Sequence, residues 1–81
     1  MLEELASVKK VVGAKQCARA LRDARVQRVY FALDAEQQVL EPILDLCRSQ
    51  HVPVRPVPAM RDLGQACGLH VGAAVAATLR T

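Results

Sequence analysis

Apolar and polar positions recur along this chain with two different periods, and the switches between them mark out its elements. Residues 2–10 predict a first helix with Leu2, Leu5, Ala6 and Val8 along one side. Val11 and Val12 form a short extended piece that stops at Gly13. Over residues 14–24 (AKQCARALRDA), Cys17, Ala20, Leu21 and Ala24 fall at i, i+3, i+4 and i+7, the spacing of one buried helical stripe. Lys15, Arg19 and Arg22 lie on the opposite side, so this second helix has a core face and a basic face. Residues 27–33 (QRVYFAL) are rich in β-branched and aromatic types and predict a buried strand. Asp34 then stands where an N-cap belongs, with Gln37 three residues on to complete a capping box. The third helix, about 35–50, places Val39, Leu40, Ile43, Leu44 and Cys47 on one face. Pro42 falls inside it and calls for a bend or a first turn nearer Val39. Residues 52–57 (VPVRPV) predict a short strand whose prolines suggest a sheet edge or a broken ladder. Residues 59–67 (AMRDLGQAC) predict a fourth helix closed by Gly68, and 73–79 (AAVAATL) a last strand.

Helices alternating with short strands predict an α/β fold. The expected architecture is a three-layer α/β/α sandwich, with one mixed sheet of about four strands and helices on both faces. At 81 residues the chain is one domain, 1–81, and its 52% hydrophobic content suits a globular core and not a disordered tail. No stretch approaches the ~20 apolar residues of a membrane span, and the N-terminus lacks an apolar signal core. A cytoplasmic monomer is the expectation.

The candidate chemistry is limited. Cys17, Cys47 and Cys67 are widely spaced with no C-x-x-C pair, which argues for buried apolar thiols and against a zinc site or disulfide framework. His51 and His70 have no partner at triad or metal-ligand spacing, and no phosphate-binding glycine motif is present. Gly64, Gly68 and Gly72, spaced by four, resemble a helix-packing pattern. An enzyme is therefore not expected, nor a cofactor or metal. Charge is more informative. Between Leu5 and Leu33 lie Lys9, Lys10, Lys15, Arg19, Arg22, Arg25 and Arg28, opposed by Asp23 alone, although the whole chain carries only +3. Such asymmetry suggests a basic face for a polyanion. Base stacking is a poor mode for it, because Tyr30 and Phe31 are the only aromatic residues and both are expected in the core. The segment Gly13-Ala14-Lys15-Gln16 suits backbone and base-edge contacts better. Gly13 ends a strand and opens a helix, leaving outward N–H groups at the positive dipole end. Lys15 and Gln16 can address base edges and Arg19 a phosphate. A plain strand–glycine–helix junction would explain the same residues.

At these residues the sequence resembles the kink-turn-binding ribosomal protein family of the L-seven-Ae and L-thirty-e type, in its short bacterial YbxF-like branch. VVGAKQCARAL, VYFALDAE and MRDLGQACGLHVGAAVAATL carry the resemblance, in order, over nearly the whole chain. It implies the same α/β/α sandwich and a partner: structured RNA with a kink-turn, as in ribosomal RNA or a riboswitch, and not DNA. In the family the glycine-led helix start reads tandem sheared G·A pairs through a Gly-x-Asn-Glu-x-x-Lys pattern. Gly13, Lys15, Gln16 and Arg19 hold those places here. Lys15 and Gln16 depart from Asn and Glu. They keep donors at both positions and remove a carboxylate, which implies retained guanine contact with an altered base preference. The resemblance also implies that Leu69-His70-Val71-Gly72 packs on the kinked nucleotides, and that Glu36, Leu40 and Met60 receive an extruded base. Met60 stands where many relatives have lysine, and Leu40 also belongs to the apolar face of its helix. Two other readings compete: a protein-interaction module that keeps the fold and has lost RNA binding, and the recognition domain of an RNA-modifying enzyme.

Overall fold

A computed structural model describes residues 4–80. The chain runs α1 (Glu4–Ser7), β1 (Lys10–Val12), α2 (Ala14–Arg22), β2 (Val26–Ala32), α3 (Gln37–Gln50), β3 (Val54–Val57), α4 (Met60–Ala66) and β4 (Val75–Leu79). The strands form one mixed sheet in the order β1-β4-β2-β3, with β4 antiparallel to both neighbours and β3 parallel to β2. Alternation along the strands assigns the two faces. Val29, Val75 and Ala77 join Cys17, Ala20, Leu21, Ile43 and Cys47 beneath α2 and α3. Tyr30 and Ala76 join Leu5, Val57, Leu63 and Cys67 beneath α1 and α4. The three-layer α/β/α sandwich expected from the sequence is the observed fold.

The differences from the predicted elements have local causes. The first helix is a single turn, and only Leu5 of its described apolar residues is buried, while Ala6 and Val8 are exposed. Leu2 lies outside the described residues. The α2 stripe holds for Cys17, Ala20 and Leu21, but Ala24 is exposed beyond the helix end. Ala24 has φ 56°, and its N–H donates to the Leu21 carbonyl (3.0 Å) while that of Arg25 donates to Ala20 (3.1 Å). This pair of bonds is a Schellman closure, a position that glycine normally fills. Of the two aromatic residues only Tyr30 is fully buried. Phe31 is half-buried on the α3 side of the sheet. Helix α3 runs unbroken through Pro42. Gln38 and Pro42 are both exposed, so the carbonyl left without its i+4 donor is open to water. Strand β3 is an edge strand, as its prolines require.

The three cysteines are free and buried, and burial pushes the Cys17 thiol up to about 12. Among the described residues no three His, Cys, Asp or Glu side chains gather as a metal would need, and no helix is long and apolar enough to cross a membrane.

The left-handed conformation costs an L-residue roughly 1–2 kcal/mol. Glycine would return about 0.5–1 kcal/mol of that through its freer unfolded chain. Ala24→Gly is therefore expected to raise the unfolding free energy by about 0.5–1 kcal/mol in a urea titration. A loss of stability would show that the Ala24 methyl makes a contact that this account lacks.

Candidate RNA interface

Because β4 runs antiparallel to its neighbours, its first residue lies beside the last residues of β1 and β2. Backbone bonds join the connecting segments at this pole. The Gly13 N–H donates to the Val75 carbonyl (2.9 Å), and the Ala32 N–H to Ala74 (2.9 Å). The Leu33 N–H donates to Val57 (2.8 Å), and the Ala73 N–H to Met60 (3.0 Å). The candidate residues of four separate segments (13–19, 36–40, 60 and 69–72) are thereby brought to one end of the sheet.

Helix α2 opens on Gly13, whose φ of 100° is hard for any residue with a Cβ. No side chain caps the helix, and its first intrahelical bond is Cys17 N–H to the Gly13 carbonyl (2.9 Å). The N–H groups of Ala14, Lys15 and Gln16 precede that bond and face the pole uncapped. Lys15, Gln16 and Arg19 are exposed, and neither cation pairs with any described acid. With no acidic residue in the first turn, the positive end of the helix is uncompensated.

The loop 69–72 is built differently. Helix α4 ends in a Schellman closure on Gly68 (φ 82°), with Gly68 N–H donating to Gln65 (3.0 Å) and Leu69 N–H to Gly64 (2.9 Å). The loop then folds back along α4. A Cβ at Gly64 would collide with the Val71 carbonyl oxygen, and one at Gly72 would press on the Met60 Cβ at 3.1 Å. The three glycines predicted as a helix-packing stripe thus serve one loop: Gly68 turns the chain, while Gly64 and Gly72 let it lie against the helix. The clamp holds apolar side chains outward, with Leu69 37% and Val71 70% exposed. A cavity of about 280 Å³ lies beneath them, lined by Arg61, Gln65, Leu69, His70, Val71 and Gly72.

Glu36 is the exposed N-cap of α3, and its carboxylate accepts from Gln38 Nε2 (2.9 Å). Leu40 is buried in the helix face but also lines an open groove with Leu33, Gln37, Glu41 and Leu44. Asp45 and Arg48 also line it, and because Arg48 pairs with Asp45 (2.9 Å) the charge left over is the Glu41 carboxylate, which makes the groove unsuited to phosphate. Asp34 does not cap α3. Its Oδ1 accepts the Met60 N–H (2.8 Å), so it caps the start of α4 from a different connection. This pairing crosses 26 residues and no local capping pattern could reveal it. Two further residues were not identified from the sequence. Leu33 ends an apolar run and looked like core, but it projects beyond β2 at 62% exposure. Arg61 follows Met60 and puts a cation at the cavity where Met60 supplies none.

The model of the ribosomal protein L7Ae/L30e/S12e/Gadd45 family matches residues 2–81. An RNA-binding protein of Caldanaerobacter subterraneus subsp. tengcongensis is 42% identical over 69 residues, 85% of this chain and 84% of its own. The RNA-binding protein YbxF of Geobacillus stearothermophilus is 40% identical over 70 residues, 86% and 85% of the two chains. A solved structure of a Bacillus halodurans protein of unknown function superposes with a TM-score of 0.88 at 26% identity, covering 99% of this chain and 84% of that one. The Giardia lamblia 15.5 kD RNA-binding protein shares the fold, with a TM-score of 0.82 at 24% identity over 99% and 68% of the chains.

The Gly64 contact generates a test of the clamp. A methyl there must displace the loop backbone, and overpacking of this kind costs about 1–3 kcal/mol. Gly64→Ala is expected to lose that much stability in chemical denaturation. Unchanged stability would mean that the loop is not held against α4.

Proposed function

The chain belongs to the ribosomal protein L7Ae/L30e/S12e/Gadd45 family, and we propose that it is an RNA-binding protein that recognises and stabilises kink-turns. One observation carries this reading. The uncapped start of α2 and the apolar tip Leu69–Val71 are fixed at the same pole, one by the Gly13–Val75 bond and the other by the Gly64 contact. The names of the curated relatives support the RNA half of it.

A kink-turn bends a duplex sharply, which crowds its phosphates and makes the bent form costly for bare RNA. A protein shifts the population toward the bend only by its differential affinity for that form. Lys15 and Gln16 would address base edges of the sheared G·A pairs, with the free N–H groups and Arg19 on phosphate. Leu69 and Val71 would cover nucleotides on the other side of the bend. Phosphate attraction alone is nearly blind to shape, so discrimination needs both patches at a fixed separation. Glu36 and Leu40 would meet an extruded base, and Arg61 would replace the cation absent at Met60. The natural target would be ribosomal RNA or a riboswitch, bound by a cytoplasmic monomer without catalysis.

Lys15→Ala should weaken kink-turn binding by about 1–3 kcal/mol, the worth of a good base contact, with an unchanged circular dichroism spectrum. Full retained affinity would remove Lys15 from the interface. The bending mechanism is tested by energy transfer between end labels on a kink-turn RNA without added magnesium. The wild-type protein should raise the transfer. Val71→Asp, at an exposed position, should abolish the rise while general RNA affinity falls less. Transfer that stays at the straight-duplex level under saturating wild-type protein would contradict the mechanism.

A further inference from the structure

The basic segment that looked like a single face in the sequence divides between the two ends of the sheet. Lys15 opens α2 at the glycine pole, and Arg19 and Arg22 share the last turn of that helix between the two ends. Lys9, Lys10, Arg25, Arg28 and Arg80 lie at or toward the other, where β1 and β2 begin and where β4 ends. Backbone bonds hold this second cluster together: the Leu79 N–H donates to the Lys9 carbonyl (3.0 Å) and the Arg80 N–H to Arg25 (2.7 Å). Lys10 and Arg28 flank Thr78 across the sheet. Lys9, Arg25 and Arg80 are exposed and pair with no described acid. Arg80 Nε is anchored on the Val26 carbonyl (3.4 Å), which fixes the base of its guanidinium.

Strand β2 has seven residues, which at ~3.3 Å each separates the two poles by roughly 20 Å. That is more than twice the ~8 Å screening length at physiological salt, so RNA at the glycine pole leaves the charge at this pole unneutralised. We propose that the second pole is a further RNA site, which holds the phosphate backbone of a separate duplex segment and lets one protein bridge two RNA helices. Arginine-rich, sequence-blind phosphate contact fits the residue types. An anionic membrane fits less well, because the large exposed apolar residues described toward this pole, Val8 and Val54, lie at opposite edges of the sheet and form no apolar face of the kind that holds a membrane surface. The proposal rests on the RNA reading above for its class of polyanion.

The test uses the full chain with and without one equivalent of kink-turn RNA, titrated with a fluorescent plain RNA duplex. The readout is anisotropy, repeated over a salt series. The duplex should bind the kink-turn-loaded protein. Lys9→Gln/Arg25→Gln/Arg80→Gln should weaken that binding at least about tenfold and flatten its salt slope by about one per cation removed. Its kink-turn affinity should change far less, and circular dichroism should confirm the fold. If the triple variant fails to fold, Arg25→Gln alone should give the same pattern with a slope change of about one. Three results would overturn the proposal: no duplex binding by the loaded wild type, duplex binding indifferent to the substitutions, or an equal loss of kink-turn and duplex affinity. Variant-sensitive binding of phosphatidylglycerol vesicles without duplex binding would assign the pole to a lipid surface instead. Variant-sensitive duplex binding by a protein indifferent to the G·A pairs would leave this site standing and remove the kink-turn reading.

Discussion

Strand β4 hydrogen-bonds to β1 on one side and β2 on the other, and both of its faces are covered. Val75 and Ala77 meet the layer of α2 and α3, and Ala76 meets the layer of α1 and α4. Small side chains let both helical layers close on the sheet, and the buried Thr78 hydroxyl donates to the Arg28 carbonyl (3.3 Å). The geometry of the proposed site follows from this strand's direction. Inserted antiparallel between β1 and β2, it starts where they finish, so the loop leading into it arrives beside the start of α2. A parallel β4 would place that loop at the opposite end of the sheet.

The two halves of the proposed kink-turn site are held by different physics. At α2 the proposed contact groups are N–H donors that no side chain caps and cations that pair with no described acid, with Gly13 adopting a backbone that gives them a clear approach. At the loop they are apolar side chains kept out of the core. Holding Val71 at 70% exposure sacrifices burial energy that a free loop could recover by collapsing. The Gly64 contact, the Schellman closure and the Asp34 cap on Met60 together prevent that collapse. A rigid apolar tip beside a polar groove reader is suited to shape, whereas charge alone is not.

Much of this was legible in the sequence. Element order, the stripe Cys17–Ala20–Leu21, the edge position of β3 and the helix end at Gly68 all follow from local periodicity and turn chemistry, which act over a few residues. The failures involve partners far apart in the chain. Asp34 looked like a cap for the helix that follows it, yet it caps α4, and Leu33 looked like strand core because a run of apolar types does not show where the sheet stops. The cations of residues 5–33 looked like one face because a charge count has no geometry. The chain doubles back twice within that segment, so its charges reach both poles. Gly64 and Gly72 were visible as a pattern, but only the folded loop assigns them a contact.

The central claim is that this pole reads a bent RNA and not phosphate in general. The most direct measurement is a gel-shift titration at fixed physiological salt, comparing a kink-turn RNA with the same RNA after its sheared G·A pairs are replaced by Watson–Crick pairs. A loss of several kcal/mol is expected, since each base contact contributes roughly 1–3 kcal/mol and the packing of the loop is lost with the bend. Equal affinity for the two RNAs would contradict it and leave a basic protein that adheres to RNA without recognising its shape.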